Sequence, residues 1–214
     1  MSISQTIKSI QDIMRKDDGV AGDAQRIAQL AWMFFLKRFS DLEEEMEFTE
    51  EDYRSPIPEK YRWKAWAQVE NSKDAKTGDE LIEFVNNGLF ATLKDLNPEE
   101  STAPKMRVLI IKSVFEDAYN FMKSGTLLRQ IIDKINADID FNDSKKKHLF
   151  GDIYEQILKD LQSAGTSGEF YTPRAVTQFM VAQVNPQLGE RVLDPACGTG
   201  GFLYIAQNLL DGYF

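Results

Sequence analysis

Cysteine and histidine are almost absent from this sequence. Its 214 residues include one cysteine, Cys197, and one histidine, His148. A single cysteine forms neither an intramolecular disulfide nor a thiolate metal cluster, and a single histidine leaves no partner for a histidine-based metal site. We therefore expect no metal centre and no disulfide framework.

Basic residues are also in short supply. Lysine and arginine number 25 against 34 aspartates and glutamates, and the net charge is -9. A domain that holds DNA through its own phosphate contacts is usually basic, because those contacts are made by lysine and arginine. If DNA is the substrate, we expect another component to supply many of the contacts that bind it.

Long apolar runs are missing as well. The longest strictly apolar run is Leu30–Leu36, whereas a membrane-spanning helix needs roughly 20 residues. The opening segment MSISQTIKSI lacks the apolar core of a signal peptide. These absences predict a soluble, cytoplasmic protein without a membrane contact, and a hydrophobic content of 43% with 28% charged residues is ordinary for a folded globular chain.

Helical periodicity dominates the first three quarters of the chain. Ile3, Ile7, Ile10 and Met14 form an amphipathic stripe, and a second helix is predicted from an N-cap at Asp23. Its apolar residues surround the axis over Leu30–Leu36, so this turn should be buried on nearly all sides. Further helices are predicted over 78–96, 104–122, 126–139 and 149–161. No convincing strand precedes Gly165, so residues 1–165 are predicted to form a nearly all-helical domain.

Two clusters within this region have more than one interpretation. The acidic run from Asp41 to Asp52 favours a solvated helix end and loop over a partner-binding patch. The aromatic cluster of Tyr61, Trp63 and Trp66 favours core packing over base stacking, because no basic run is interleaved with it.

The pattern changes at Thr166. The segment SAGTSG is typical of a flexible linker, and Thr172 and Pro173 suit the N-cap and first turn of a helix that ends near Gln183. RVLD then predicts a buried strand, ACGTGG a glycine loop and FLYIAQNLL a helix. This is one strand–loop–helix unit of an α/β fold. Since a single strand makes no sheet, residues 166–214 are either the first fragment of a larger domain or a stub held by another chain.

The glycine loop is the segment that suits ligand chemistry. In open α/β sheets ligands bind beyond the carboxyl ends of strands. Gly198, Gly200 and Gly201 permit positive φ and close backbone approach, while the next helix offers free N–H groups to an anion. Asp194 offers the opposite charge, so the loop suits a zwitterionic ligand. Leu203 replaces the third glycine of a dinucleotide fingerprint, and no Walker lysine is present; the spacing alone leaves a purely structural turn open.

The amino-acid sequences of these segments resemble those of a known family. DPACGTGGFL resembles the S-adenosylmethionine motif of amino-methylating DNA methyltransferases, and GEFYTPRAVTQFM resembles the upstream cofactor motif of the adenine-N6 class. IAQLAWMFFLKRFSD, IPEKYRWKAW and FGDIYEQILKDLQ resemble the helical N-terminal domain of the modification (M) subunit of type I restriction-modification systems. The resemblance covers essentially the whole chain.

The resemblance implies a set of cofactor contacts. Thr172 suits the carboxylate of S-adenosylmethionine, Asp194 lies nearest its amino group, and Cys197 is a small loop residue rather than a nucleophile. The segment implied to line the methionine end consists of Glu169, Phe170, Tyr171, Thr172, Pro173 and Arg174. The loop implied beneath the methionine moiety consists of Asp194, Pro195, Ala196, Cys197, Gly198, Thr199, Gly200 and Gly201.

Two features of such enzymes have no match in this sequence. One is the acidic residue on the next strand that binds the ribose hydroxyls. The other is the Asn-Pro-Pro-aromatic motif that holds the flipped target adenine. Asn97-Pro98 and Asn185-Pro186 lack the second proline and the aromatic residue and precede the glycine loop. We therefore expect no catalytic residue in this chain and no activity from it alone.

The sequence thus predicts a mainly α protein, with a helical N-terminal domain over 1–165 and the truncated start of an α/β, Rossmann-like methyltransferase domain over 166–214. The resemblance implies that the full protein transfers a methyl group from S-adenosylmethionine to adenine N6 in DNA. It implies a specificity subunit, a restriction subunit and a second modification subunit as partners, with DNA bound through the assembled complex. The alternatives are a non-catalytic helical interaction module and a cytosine-N4 or other amino methyltransferase.

Overall fold

A computed structural model describes residues 3–69, 74–142, 174–197 and 200–210, together with 153, 156 and 172. The chain divides into two compact units, Met1–Ser167 and Gly168–Phe214, called here the helical unit and the C-terminal unit. Among the described residues, no helix combines the length and apolar character needed to cross a membrane.

The described elements are all helical. A single turn of 3-10 helix, Glu59–Tyr61, precedes the helix Trp63–Trp66, and a π-helical stretch, Phe84–Phe90, joins the helices Gly78–Glu83 and Ala91–Lys94 without a break. The α-helices are α1 (Ile3–Met14), α2 (Asp23–Thr49), α3 (Trp63–Trp66), α4 (Gly78–Glu83), α5 (Ala91–Lys94), α6 (Lys105–Glu116), α7 (Gly125–Asp138), α8 (Arg174–Val184) and α9 (Gly201–Leu210).

Most predicted helices are confirmed, with two corrections to their ends. Gly22, not Asp23, is the N-cap of α2, and its N–H is bonded by the Gln25 side chain at 3.0 Å. The helix predicted over 104–122 ends at Glu116, because backbone N–H groups beyond it bond to distant side chains instead of the helix. The N–H of Phe121 donates to Gln29. Of the helix predicted over 149–161, only residues 153 and 156 are described, and both are helical.

The core of the helical unit surrounds the apolar turn of α2, as predicted. Leu30, Met33 and Leu36 are at most 1% exposed, although Ala31 faces solvent. The aromatic cluster is also part of this core: Trp63 and Trp66 are 1% and 3% exposed, so the prediction of packing is confirmed.

The acidic run is not a simple solvated surface, and that interpretation is wrong for Asp41 and Glu43. Both are buried. Asp41 is 2.6 Å from the Lys37 ammonium and accepts the N–H of Phe141, while Glu43 accepts the hydroxyl of Tyr53 at 2.8 Å. These partners allow the two carboxylates to be buried. Phe141 lies 100 residues beyond Asp41, and a local charge pattern does not disclose a partner at that distance along the chain.

The C-terminal unit has its two predicted helices, but the strand prediction is wrong. No β-strand occurs within the described ranges, and residues 191–194 have no regular secondary structure. Val192 is 49% and Leu193 is 86% exposed. A strand exists only when a neighbouring strand bonds to its N–H and C=O groups, so the predicted α/β start is not confirmed.

Candidate functional site

The glycine loop connects the segment 191–194 to α9. Asp194 lies at its start, and one carboxylate oxygen accepts the N–H of Ala196 at 3.1 Å. Further along, the N–H of Gly200 donates to the Cys197 carbonyl at 2.7 Å, and the Gly200 carbonyl accepts the N–H of Tyr204 at 2.8 Å. These bonds make a tight turn that leads directly into the first turn of the helix.

Gly200 is the residue at which this turn needs glycine. Its φ is +78°, a backbone conformation that is costly for a residue with a Cβ. Among the described residues, no atom beyond the chain neighbours of Gly200 lies within 4 Å of the position that its Cβ would take, and the same holds for Gly201. The backbone at the start of α9 is therefore uncovered, and the N–H groups of a first helical turn lack intrahelical partners.

The predicted loop residues are mostly accessible. Asp194 is partly exposed, so its carboxylate can receive a cationic or hydroxyl group. The exposed members are Pro195, Ala196 and Cys197. Gly198 and Thr199 lie outside the described residues.

The upstream segment is described only in part. Thr172 is exposed, and Arg174 is the first residue of α8. Glu169, Phe170, Tyr171 and Pro173 lie outside the described residues. The structure does bring the helices that follow the two predicted segments together, because α8 and α9 pack against each other through Val181, Ile205 and Ala206.

A pocket of about 310 Å³ lies between α8 and the glycine loop within the C-terminal unit. Its lining residues are apolar apart from Asp194. Sequence reasoning missed its apolar lining, although Met180 and Val184 lie four residues apart along α8. The lining residues are Met180, Val181, Val184, Pro186, Val192, Leu193, Asp194, Pro195, Phe202, Leu203 and Ala206.

Two family models match this chain, and together they cover most of it. The model described as the HsdM N-terminal domain matches residues 3–135, and the model described as N-6 DNA methylase matches residues 145–212. The order of the two matches along the chain is helical region first and glycine-loop region second.

One curated protein is similar to this chain over its full length. The methylase subunit of the type I restriction enzyme EcoEI from Escherichia coli is 58% identical over 214 residues, which are 100% of this chain and 42% of that subunit. The chain thus spans about two fifths of that relative's length.

Solved structures share the fold. A protein from Vibrio vulnificus YJ016, described as a modification subunit of a type I restriction enzyme, is 42% identical with a TM-score of 0.81, over 99% of this chain and 46% of that one. A chain from a structural study of assembly and conformational transition of the type I restriction-modification system is 33% identical with a TM-score of 0.77, over 100% of this chain and 42% of that one. With the HsdM N-terminal model covering more than half of its length, the chain belongs to the family of type I restriction-modification methylase subunits.

Proposed function

We propose that this chain is the N-terminal part of a cytoplasmic adenine-N6 DNA methyltransferase subunit of a type I restriction-modification system. The observation that carries the proposal is the 58% identity over all 214 residues with a type I methylase subunit. The match of residues 145–212 to the N-6 DNA methylase model supports the reaction class. The complete protein would transfer a methyl group from S-adenosylmethionine to adenine N6.

The described part of the glycine loop fits the methionine end of S-adenosylmethionine. A zwitterion needs an anionic group for its ammonium and N–H donors for its carboxylate. Asp194 supplies a partly exposed carboxylate for the ammonium group. The uncovered backbone at Gly200 and Gly201 lies at the start of α9, and the N–H groups and dipole of a helix N-terminus favour an anion. The fit therefore rests on charge and on the space left by the two glycines.

Each group has a distinct role in this proposal. Asp194 binds and orients the amino group of the cofactor, and the first turn of α9 binds its carboxylate. Thr172 is exposed just ahead of α8 and adds a hydroxyl to the same carboxylate. The bound cofactor supplies the electrophilic methyl group. The residues proposed to line the site are Glu169, Phe170, Tyr171, Thr172, Pro173, Arg174, Asp194, Pro195, Ala196, Cys197, Gly198, Thr199, Gly200 and Gly201.

We assign the ribose contact and the target-base motif to the additional length that the relatives possess. The exposed apolar segment at Val192 and Leu193 supports this assignment, because further strands placed beside it would bury these side chains and bond to the backbone. The chain by itself is then inactive.

We further propose that the complete protein acts with a specificity subunit, a restriction subunit and a second modification subunit, and that DNA is bound through this assembly. The net charge of -9 supports a division of labour in which a partner reads the bases. Met106, Leu109 and Ile110 are 68%, 47% and 47% exposed on α6. This apolar stripe favours the second candidate function, a helical module for subunit assembly.

The reaction is tested with the longer polypeptide that carries this chain. It is mixed with its specificity subunit, target DNA and tritiated S-adenosylmethionine, and label is sought on adenine N6. We expect transfer by this mixture and none by the 214-residue chain. Label on cytosine, or none in the complete mixture, would reject the proposed reaction.

The loop assignment is tested by a matched pair of glycine substitutions. Gly200 and Gly189 both have positive φ, +78° and +89°, and neither has an atom of another described residue near its Cβ position. Val at either place costs similar backbone strain, but only Gly200 belongs to the proposed loop. In the longer protein, Gly200→Val should weaken S-adenosylmethionine binding at least roughly tenfold by calorimetry, because a Cβ blocks backbone approach. Gly189→Val should bind like the unaltered protein; equal affinities for the two variants would refute the assignment.

A further inference from the structure

A second pocket, of about 450 Å³, lies in the helical unit, far along the sequence from the glycine loop. We call it the loop pocket. Its lining comes from the α1–α2 loop (Asp18), the π-helical stretch (Asn86) and the segment after α6 (Tyr119, Asn120, Phe121, Lys123). The volume is within the range of small-ligand sites.

A chain of hydrogen-bonded amide side chains leads from the interior to the loop pocket: Gln29 and Asn120 are buried, and Asn86 is exposed. Gln29 is fully buried, donates to the side-chain amide oxygen of Asn120 at 2.8 Å and accepts the N–H of Phe121 at 2.8 Å. Asn120, 5% exposed, donates in turn to the amide oxygen of Asn86 at 2.9 Å. The Asn86 oxygen is the acceptor in this bond, so the Asn86 NH₂ group, with two donors, takes no part in it.

Hydrogen bonds join the two loops that line the loop pocket. Asp17 is buried, and its carboxylate accepts the N–H groups of Gly19 and Ser124, each at 2.8 Å, and also that of Lys123. A Cβ at Gly19 would lie 1.9 Å from the Phe121 carbonyl oxygen, so the two loops touch where only glycine fits. The π-helical backbone that carries Asn86 is a rare geometry, found frequently at functional sites.

The walls combine one aromatic surface with two opposite charges. Tyr119 is 65% exposed, and its ring centroid lies 5.1 Å from that of Phe121. Asp18 and Lys123 are exposed, and their charges cancel, so the lining does not favour an anion. A neutral, planar ligand that accepts hydrogen bonds along one edge and donates them along another suits these groups.

We propose that the loop pocket binds the guanine base of an unpaired nucleotide. Guanine presents acceptors at O6 and N7, which suit the Lys123 ammonium and the Asn86 NH₂ group. Its N1–H and N2–H₂ are adjacent donors that suit the Asp18 carboxylate, and adenine lacks that pair of donors. The ring stacks on Tyr119, as bases do on exposed aromatic side chains. The base comes from a free guanine nucleotide or from a guanine in a single strand.

The test titrates the 214-residue chain by calorimetry with GMP, AMP and inorganic phosphate, and with a short oligothymidine that carries or lacks one central guanine. We expect GMP or the guanine-containing strand to bind at least roughly tenfold tighter than the counterpart without guanine. Binding of GMP identifies a free nucleotide as a source, and binding of the strand alone identifies single-stranded nucleic acid. Equal affinity for AMP and GMP, binding of phosphate as tight as that of GMP, or no binding of either guanine source overturns the proposal.

Single substitutions test which side chain contacts each edge of the base. Asp18→Asn and Lys123→Met should each weaken guanine binding roughly tenfold, while Asp52→Asn and Lys8→Met, at exposed positions outside the pocket, should leave it unchanged. All four positions are exposed, so circular dichroism melting should remain that of the unaltered chain. Unchanged guanine affinity in folded Asp18→Asn overturns the assignment of the carboxylate and with it the proposal.

Discussion

The helical unit and the C-terminal unit differ in how far their large apolar side chains are buried. In the helical unit, Leu30, Trp63 and Phe115 are at most 1% exposed. In the C-terminal unit, Leu188 and Leu193 are 83% and 86% exposed, and the described buried cluster consists of Val181, Ile205 and Ala206.

The difference follows from the kind of element each unit needs. A helix satisfies its backbone hydrogen bonds within its own segment, so helices need only an apolar face to pack. A strand satisfies them through neighbouring strands. Helical elements can therefore complete a core within the described chain, whereas segment 191–194 has the composition of a strand without the pairing that would make it one.

Amide hydrogen exchange gives the sharpest test of this comparison. The amides of Val192, Leu193 and Asp194 should exchange at least roughly a thousandfold faster than the interior amides of α7, which open only with the unit as a whole. Mass spectrometry after proteolysis measures both segments in one experiment on verified monomer. Strong protection of residues 191–194 would contradict the description of this segment as unpaired.

A matched pair of leucine truncations compares the cores directly. Leu30→Ala should lower the free energy of unfolding by about 2–5 kcal/mol, since Leu30 is fully buried. The same change at Leu193, 86% exposed, should cost less than about 0.5 kcal/mol. Urea unfolding followed by circular dichroism measures both, and similar losses would show that Leu193 is buried in solution.

Asp17 is a buried polar residue of the helical unit, and its truncation can be compared with that of Leu30. Asp17→Ala should cost about 2–3 kcal/mol, because the N–H groups of Gly19, Lys123 and Ser124 lose a buried charged acceptor. The neighbouring exposed Asp18→Ala serves as its control and should have little effect on stability. Thermal unfolding of the two variants measures the difference; an unchanged melting temperature for Asp17→Ala would contradict the buried role.

The smallest expected effect concerns the acidic run and its pH dependence. The hydrogen bond from Lys64, together with that from Arg62, holds the pKa of Glu47 below its ordinary value. A carboxyl group whose pKa is lowered by folding stabilises the fold above its unfolded pKa, and this contribution is lost as the pH falls through the lowered value.

Glu47→Gln should therefore lower stability at neutral pH by less than about 1 kcal/mol, because solvent screens a partly exposed ion pair. The difference from the unaltered chain should vanish in acid. Glu44→Gln, at an exposed position of the same helix, is the control. Urea unfolding across the acidic range measures the curves, and a difference that persists below the lowered pKa would exclude the ion pair as its cause.

Several features could be predicted from residues alone, and they are the local ones. The stripe of Ile3, Ile7, Ile10 and Met14 predicted α1, and the apolar turn at Leu30–Leu36 predicted the centre of the core. The glycine loop was predicted to precede a helix, and α9 begins at Gly201. The assignment of that loop to S-adenosylmethionine stays a prediction.

Other features depend on residues that lie far apart in the chain. The burial of Asp41 requires Lys37 and the backbone of Phe141. The end of α6 at Glu116 is set by Gln29 and Asp17, which bond to the segment that a continued helix would occupy. Periodicity discloses neither the contact with Phe141 nor that with Gln29, because it describes neighbours three or four residues apart, such as Lys37 and Asp41.

The sequence by itself determined where helices form, which of their faces are apolar and where glycine relieves the backbone, because these depend on neighbouring residues. The tertiary structure decided which carboxylates are buried, where α6 ends and how Asn86, Tyr119 and Lys123 come to line one pocket. It also decided that residues 191–194 are not a strand. Burial and strand pairing are relations between distant segments, and their free energies arise only when the chain brings those segments together.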